Sequence, residues 1–433
     1  MGKAWVITAE MGYGHQRAVH PFGDMAEGGI ISLGSDPSTP LSERRLWKRL
    51  LRIYELLSRL KRLPVMGGLL FKVIDSLLSI PPWYPLQQRS APSLQVRILK
   101  QLIRWGLCRG VLSKIRQQPL PVVTSFYASA VAADLANITP LYCIICDADL
   151  GRAWVASEPA RSKIEYCVPC GRAAKRLKSY GVPRERIHLS GFPLPESLIG
   201  GLDMPVLKQD LGQRLHYLDP QERFLRHHGF VMEKFLGREH CVFRNDRCLT
   251  LSFAVGGAGA QQDIGRIITE RLHDHILAGR IRLNLVAGIR PEVQDFFLRL
   301  KARQLPGVDG LRIVGGNSLS EYFDNFNVAM RQTDILWTKP SELSFYCALG
   351  IPIIMAPAIG PQERFNRKWL FEIQAGMDQE NPACVDEWLF DLLKYGRLAD
   401  AAWAGFLKAR KMGTYHIREL VSGGKIGWED FPQ

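Results

Sequence analysis

Glu10-Met-Gly-Tyr-Gly-His15 places two glycines and an imidazole directly after the apolar run Lys3-Ala-Trp-Val-Ile-Thr8. Gly12 and Gly14 allow a backbone to approach a ligand closely, and the start of the following helix offers unpaired N–H groups. Imidazoles as a class titrate near neutrality, so His15 has the chemistry of a general base on an acceptor hydroxyl, with simple capping of the turn as the plainer alternative. Ser252-Phe-Ala-Val-Gly-Gly-Ala-Gly-Ala260 repeats the device in the second half of the chain. There Gly256, Gly257 and Gly259 suit either the cradling of a leaving diphosphate or tight helix packing. Ala287-Gly-Ile-Arg290 brings to the same rim a guanidinium able to neutralise that diphosphate. The densest set is Trp337-Thr-Lys-Pro-Ser-Glu342 followed by Pro361-Gln-Glu-Arg-Phe-Asn366. Lys339, Ser341, Glu342, Gln362, Glu363 and Asn366 fall in loops at strand ends, where the hydroxyls of a sugar or ribose are bound. Polar residues clustered at two consecutive rims favour a ligand site over mere solvation.

Such positions need strands that end where the loops begin. Gly29-Ile-Ile-Ser-Leu33 and apolar runs at 120–123, 141–146, 165–168 and 187–189 alternate with helical segments such as Ala173 to Tyr180, which predicts parallel strands buried on both faces. A second series at 248–253, 281–286, 311–314, 335–337 and 351–355 predicts a second doubly wound sheet. A chain of 433 residues with 46% hydrophobic residues suits two domains. The expected division is an N-terminal domain 1–200, a polar linker or insertion 201–246, a C-terminal domain 247–410, and a tail 411–433 placed to pack back on the N-terminal domain.

Charge is concentrated. Between Leu41 and Leu120 stand 16 Lys or Arg against 3 Asp or Glu, almost all of the formal +14 of the chain. Two helices are expected there, Glu43 to Arg62 and Leu94 to Ile115, each with an apolar side and a basic side. Helices of this kind suit an anionic membrane surface, while solvated basic faces are the plainer reading. Nucleic acid is not expected, because no recognition motif accompanies the charge. No uninterrupted apolar stretch is long enough to span a bilayer, and Met1 to Ala9 lacks the pattern of an export signal. Nine cysteines, an odd number, suit reduced thiols in the cytoplasm. Cys143, Cys146, Cys167 and Cys170 mimic zinc-ribbon spacing, but residues three apart on a strand face opposite ways, so buried core thiols are expected and no metal.

At these residues the chain resembles the family that includes monogalactosyldiacylglycerol synthases, bacterial diacylglycerol glucosyltransferases and the N-acetylglucosaminyltransferase of peptidoglycan lipid synthesis. The glycine turn ending in His15 looks like the family's GxGH turn, and Cys146-Asp-Ala-Asp-Leu-Gly-Arg-Ala-Trp154 looks like its Asp-to-Trp motif. Tyr166-Cys-Val-Pro169, Gly181-Val-Pro183 and Ser190-Gly-Phe-Pro193 follow in family order, and Lys339, Gln362 and Asn366 match its nucleotide and sugar rim. The resemblance implies a GT-B fold, two facing Rossmann-like domains with the sugar-nucleotide site between them. It implies inverting transfer from a nucleotide sugar, often a uridine diphosphate sugar, to a lipid or membrane-associated acceptor, with no cofactor beyond the substrate. Asp147 becomes a second candidate base, Trp154 part of the acceptor-side loop, and the basic helices a peripheral contact on the inner face of the membrane. The chain departs from the family at Gly151, where the family has His, at Pro340-Ser-Glu-Leu343 in place of a glycine-rich loop, and at Phe345 in place of an acidic residue. A sugar-nucleotide epimerase on the same fold and a non-catalytic binding protein stay open as alternatives.

Overall fold

The computed structural model describes residues 2–37, 39–60, 80–254, 256, 261–358 and 360–424. The chain divides into two compact units, Met1–Pro193 with Met412–Pro432, and Leu194–Lys411.

The first unit is built on β1 (Trp5–Ala9), β2 (Ile31–Leu33), β3 (Val122–Thr124), β4 (Leu141–Ile144), β5 (Glu165–Cys167) and β6 (Ile187–His188), in the order β2-β1-β3-β4-β5-β6 with every pairing parallel. β1 and β4 are buried along their whole length, which explains their unbroken apolar reading: helices cover both faces, so no solvent side imposes alternation. The chain order reverses at β1, which has β2 on one side and β3 on the other. That places the switch point, where loops diverge and ligands lodge, at the carboxyl ends of β1 and β3.

The second unit repeats the plan with β7 (Leu249–Ala254), β8 (Ile281–Gly288), β9 (Leu311–Gly315), β10 (Ile335–Thr338), β11 (Ile353–Met355) and β12 (Gly376–Asp378), in the order β12-β11-β10-β7-β8-β9, again all parallel. Here the switch point lies between β7 and β10. Phe253 meets Trp337 edge-on across this pair, centroids 6.0 Å apart, and both are buried. Each such side chain contributes about 1.5–3 kcal/mol by leaving water. The chain is thus two doubly wound α/β units. The short β12 carries no apolar run and was not expected.

Three segments differ from their sequence reading. The second basic helix is broken into Leu94–Arg104 and Arg109–Gln117, because Gly106 (φ 104°) and Cys108 (φ 66°) turn left-handed between them. The new helix start has no cap of its own. Glu43, buried on α2 (Leu41–Leu60), supplies one from 65 residues away, accepting from the N–H groups of Cys108 at 2.9 Å and Gly110 at 2.8 Å. The segment 201–246, expected as a linker or insertion without strong periodicity, carries the helices Pro205–Leu218 and Arg223–Leu236, part of the second unit. Its buried Leu207, Leu211, Leu215 and Leu218 keep helical spacing, but the buried Arg214 among them obscures the pattern. Arg214 donates to the carbonyls of Thr333 and Leu349, 2.8 Å each, and burial brings its pKa down to about 10. Finally, the helix expected between β10 and β11 is a buried 3-10 helix, Glu342–Leu349.

The helix Gly413–Val421 belongs to the first unit. Tyr142 donates to the Leu420 carbonyl at 2.8 Å, His416 Nδ1 lies 2.8 Å from the Ser190 carbonyl, and Arg418 binds Asp24 through both carboxylate oxygens, holding that carboxyl below its ordinary range. Cys143 and Cys167 are buried in adjacent strands, where burial raises both thiols, and Cys170 is pushed up to about 12. No helix among the described residues is long and apolar enough to cross a membrane.

Burial also brings Lys411, at the end of the second unit, down to about 8. An unfolded lysine keeps its value near 10.5. Between these values the unfolded chain binds the extra proton, so the stability of this unit rises with pH across that window. Below pH 8 the full cost of burying the charge is present, and above 10.5 it has vanished. In urea midpoints measured from about pH 7 to 11, the deficit of wild type relative to Lys411→Met is expected to narrow as the pH rises from 8 to 10.5, and parallel curves would contradict it.

Candidate functional site

In the first unit β1 hands over to α1 (Tyr13–Val19) through Gly12, whose φ of 92° suits only glycine and whose Cα faces open space. His15, third in α1, has its Nδ1 2.6 Å from the carbonyl oxygen of Ser125, just past β3. A carbonyl only accepts, so Nδ1 carries the proton and Nε2 is the basic nitrogen of the neutral ring. The imidazole meets the edge of Phe126 (centroids 5.3 Å) and lies against Trp154 (5.9 Å), which in turn meets Tyr127 (5.5 Å). Cys146 Sγ stands 3.7 Å from Nδ1. Asp147, half-buried, is the next residue on the loop leaving β4. His15, Gly12, Gly14, Trp154 and the Cys146-Asp147 loop therefore share one rim, built from the ends of β1, β3 and β4.

The rest of the Asp-to-Trp segment is structural. Asp149, fully buried, binds Arg176 through Nε at 2.7 Å and Nη2 at 2.9 Å, with Arg172 at 3.7 Å. Arg176 also donates to the Pro81 carbonyl and stacks on Trp83, 4.2 Å from its ring centroid. Arg152 donates to the carbonyls of Ser90, Val155 and Ala156. These guanidiniums strap the segment preceding the helix Leu94–Arg104 onto the sheet. The residues that sequence reasoning passed over are Ser125, Phe126 and Tyr127. The signal was present: Thr124-Ser-Phe-Tyr127 follows an apolar run just as the glycine turn does.

In the second unit Lys339 follows β10 and reaches Glu363 in the first turn of the helix Pro361–Glu372, Nζ to Oε1 2.5 Å. Glu363 also accepts from the Gly360 N–H at 3.2 Å, and the buried Asn366 donates to the Pro340 carbonyl at 3.2 Å. Asn366 thus ties the helix to the loop after β10. The Lys339 stem lies on Gly256, where a Cβ would stand 2.6 Å from its Cε. Gly256 makes room for the lysine. Gly257 and Gly259 lie outside the described residues. Ser341 and Glu342 begin the 3-10 helix and are half-buried, and Gln362 is exposed at the helix start. Arg290 stands apart, beyond β8 on the other side of β7, its guanidinium 3.7 Å from Glu292. Phe345 is core, packed on Trp369 at 4.9 Å. An ammonium beside a helix N-terminus is a setting for an anion, and here Glu363 supplies the negative charge.

No family model and no curated protein matches the chain. Solved structures do. The UDP-GlcNAc 2-epimerase from Neisseria meningitidis, bound to UDP-GlcNAc, is 14% identical, with 98% of this chain and 100% of that chain covered at a TM-score of 0.47. MurG from Acinetobacter baumannii is 14% identical over 73% of this chain and 77% of that chain, TM-score 0.45. The calicheamicin glycosyltransferase CalG4 is 11% identical with 98% of both chains covered, TM-score 0.48. At these identities the likeness concerns the fold, and the doubly wound plan rests on the strand order within each unit.

The contact between Gly256 and Lys339 is open to a double-mutant cycle. Gly256→Ala is expected to cost about 1–2 kcal/mol in the wild-type background and clearly less beside Lys339→Ala, because the atoms nearest that methyl all belong to Lys339. The entropy that alanine removes from the unfolded chain cancels in the cycle. Additive effects in urea unfolding would mean that the two residues do not meet.

Proposed function

We propose that the chain is a nucleotide-sugar-dependent glycosyltransferase that transfers with inversion to a lipid or membrane-associated acceptor. The observation that carries this reading is the chemistry at the two switch points: an imidazole with its basic nitrogen set by a backbone carbonyl in one unit, and an ammonium beside a helix N-terminus in the other. In the reaction the acceptor hydroxyl oxygen attacks the anomeric carbon, the bond from that carbon to the diphosphate oxygen breaks on the opposite face, and the nucleoside diphosphate leaves. The hydroxyl proton passes to His15 Nε2, with Asp147 the second candidate. Lys339 offsets the charge gathering on the leaving diphosphate, with Gly256, Gly257, Gly259 and the more distant Arg290 as the further candidates. In this reading Ser341, Glu342, Gln362 and Glu363 take hydroxyls of the donor, while Asn366 holds the loop that presents Lys339. Neither metal nor cofactor enters the proposal.

The acceptor side draws on the basic segment. On the helix Leu94–Arg104 and its cap, Leu94 (58% exposed), Ile98 (44%) and Trp105 (69%) fall within about 40° of arc. Arg97 and Arg104 are exposed beside them, and the core side is taken by Val96 and Leu99. An outward apolar stripe flanked along one side by arginines is what an anionic bilayer interface receives, and it favours lipid contact over a merely solvated basic face.

Incubation with labelled UDP-sugars and membrane lipids is expected to release nucleotide only when a lipid acceptor is present, and His15→Gln to lower kcat by about 10²–10⁴-fold. Donor turnover without acceptor would favour the epimerase reading, and no turnover of any donor would overturn the proposal. For the membrane contact, sedimentation with phosphatidylglycerol vesicles is expected to fall with added salt and to be lost in Ile98→Asp/Trp105→Asp. Equal recovery of wild type and variant would exclude this helix.

A further inference from the structure

We infer that Ser125 is the positioning residue of the first unit's site, setting both the tautomer and the backbone placement of His15. This rests on the reading of His15 as the base. Every polar group of Ser125 is directed to the β1-to-α1 segment. Its N–H donates to the Ile7 carbonyl at 3.2 Å, its carbonyl accepts from His15 Nδ1–H at 2.6 Å, and its hydroxyl donates to the His15 carbonyl at 2.7 Å. The third bond uses the single hydroxyl proton. The 3.1 Å bond between the Thr8 and Ser125 hydroxyls therefore runs from Thr8 to Ser125. Thr8 and Ser125 are both buried, so water does not compete for these bonds.

The result is a clamp with two jaws on one residue. The carbonyl of Ser125 holds the ring, and its hydroxyl holds the main chain from which that ring hangs. With both ends held, Nε2 has one direction in which to take a proton, which is the preorganisation general-base catalysis needs. Cys146 does not displace the ring from this carbonyl: its Sγ is 3.8 Å from the same oxygen, and a thiol is the weaker donor. A neutral backbone carbonyl thus orients this imidazole at Nδ1, and the hydroxyl of the same residue helps decide whether that carbonyl stays in register.

The tautomer can be read without any assay of transfer. In full-length protein labelled with [15N]histidine, the His15 signals are identified by their loss in His15→Gln. They are expected to show the proton on Nδ1 in the neutral ring. Ser125→Ala is expected to populate both tautomers and to lower kcat about ten-fold or more with KM unchanged, and Ser125→Thr to restore both readouts. Thr8→Val, which leaves Ser125 intact but removes its donor, is expected to fall between. A wild-type ring protonated on Nε2, or a Ser125→Ala protein that keeps both its single tautomer and its kcat, would overturn the inference. Absence of transfer by a wild type whose Nδ1 is protonated would count against the proposed reaction, leaving the clamp in place.

Discussion

A parallel sheet covered by helices on both faces confines accessible polar chemistry to the ends of its strands. Both units obey this constraint. β1, β4, β7 and β10 are buried throughout, and the few polar side chains inside satisfy one another: Thr8 with Ser125 in one sheet, and Ser252 with Thr333 and Asn284 in the other. The groups of the two candidate sites stand at the rim where strand gives way to loop, while the thiols of Cys143 and Cys167 stay buried within β4 and β5. His15, Ser125 and Cys146 gather at one switch point and Lys339, Gly256 and Glu363 at the other because the topology leaves them nowhere else to meet.

Buried charge anchors the segments at both ends of the strands: Asp149 lies beyond the carboxyl end of β4, and Asp334 precedes the amino end of β10. Asp149 is surrounded by Arg176 and Arg172, and Asp334 accepts from Arg247 at 2.6 and 2.7 Å and from the Thr250 N–H at 2.8 Å. A buried ion is costly unless its remaining hydrogen bonds are met. Asp334 takes a main-chain donor as well as the fork of its arginine, and Arg176 gives its remaining reach to the Pro81 carbonyl. Glu43 follows the same logic with no cation at all, using the free N–H groups of a helix start. Arg176, held by Asp149, and Glu43 tie the segment from Pro81 to Gln117 to the first unit and so help decide which of its side chains look outward.

That segment also shows why composition and surface are different kinds of information. Its excess of lysine and arginine is plain in the chain, but a basic helix with one apolar side is equally the description of an ordinary packed helix. The break at Gly106 and the burial of Val96 and Leu99 leave Leu94, Ile98 and Trp105 outside. Only then does the outward face become apolar as well as basic.

The amino-acid sequence by itself determined the two series of strands, the glycine turn after β1, and the polar loops after β10 and β11, because hydrophobic runs and turn residues act over a few neighbours. It did not determine pairing across distance. Ser125 meets His15 over 110 residues, Glu43 meets Cys108 over 65, and Lys339 meets Glu363 over 24. Nothing local marks one of several serines or glutamates as the partner. It likewise hid the helices of 201–246, where the buried Arg214 breaks the apolar pattern, and it did not show that Asp149 and Arg152 turn their charge inward. Tertiary structure decided these matters because burial and hydrogen-bond partners exist only once the strands have been set side by side.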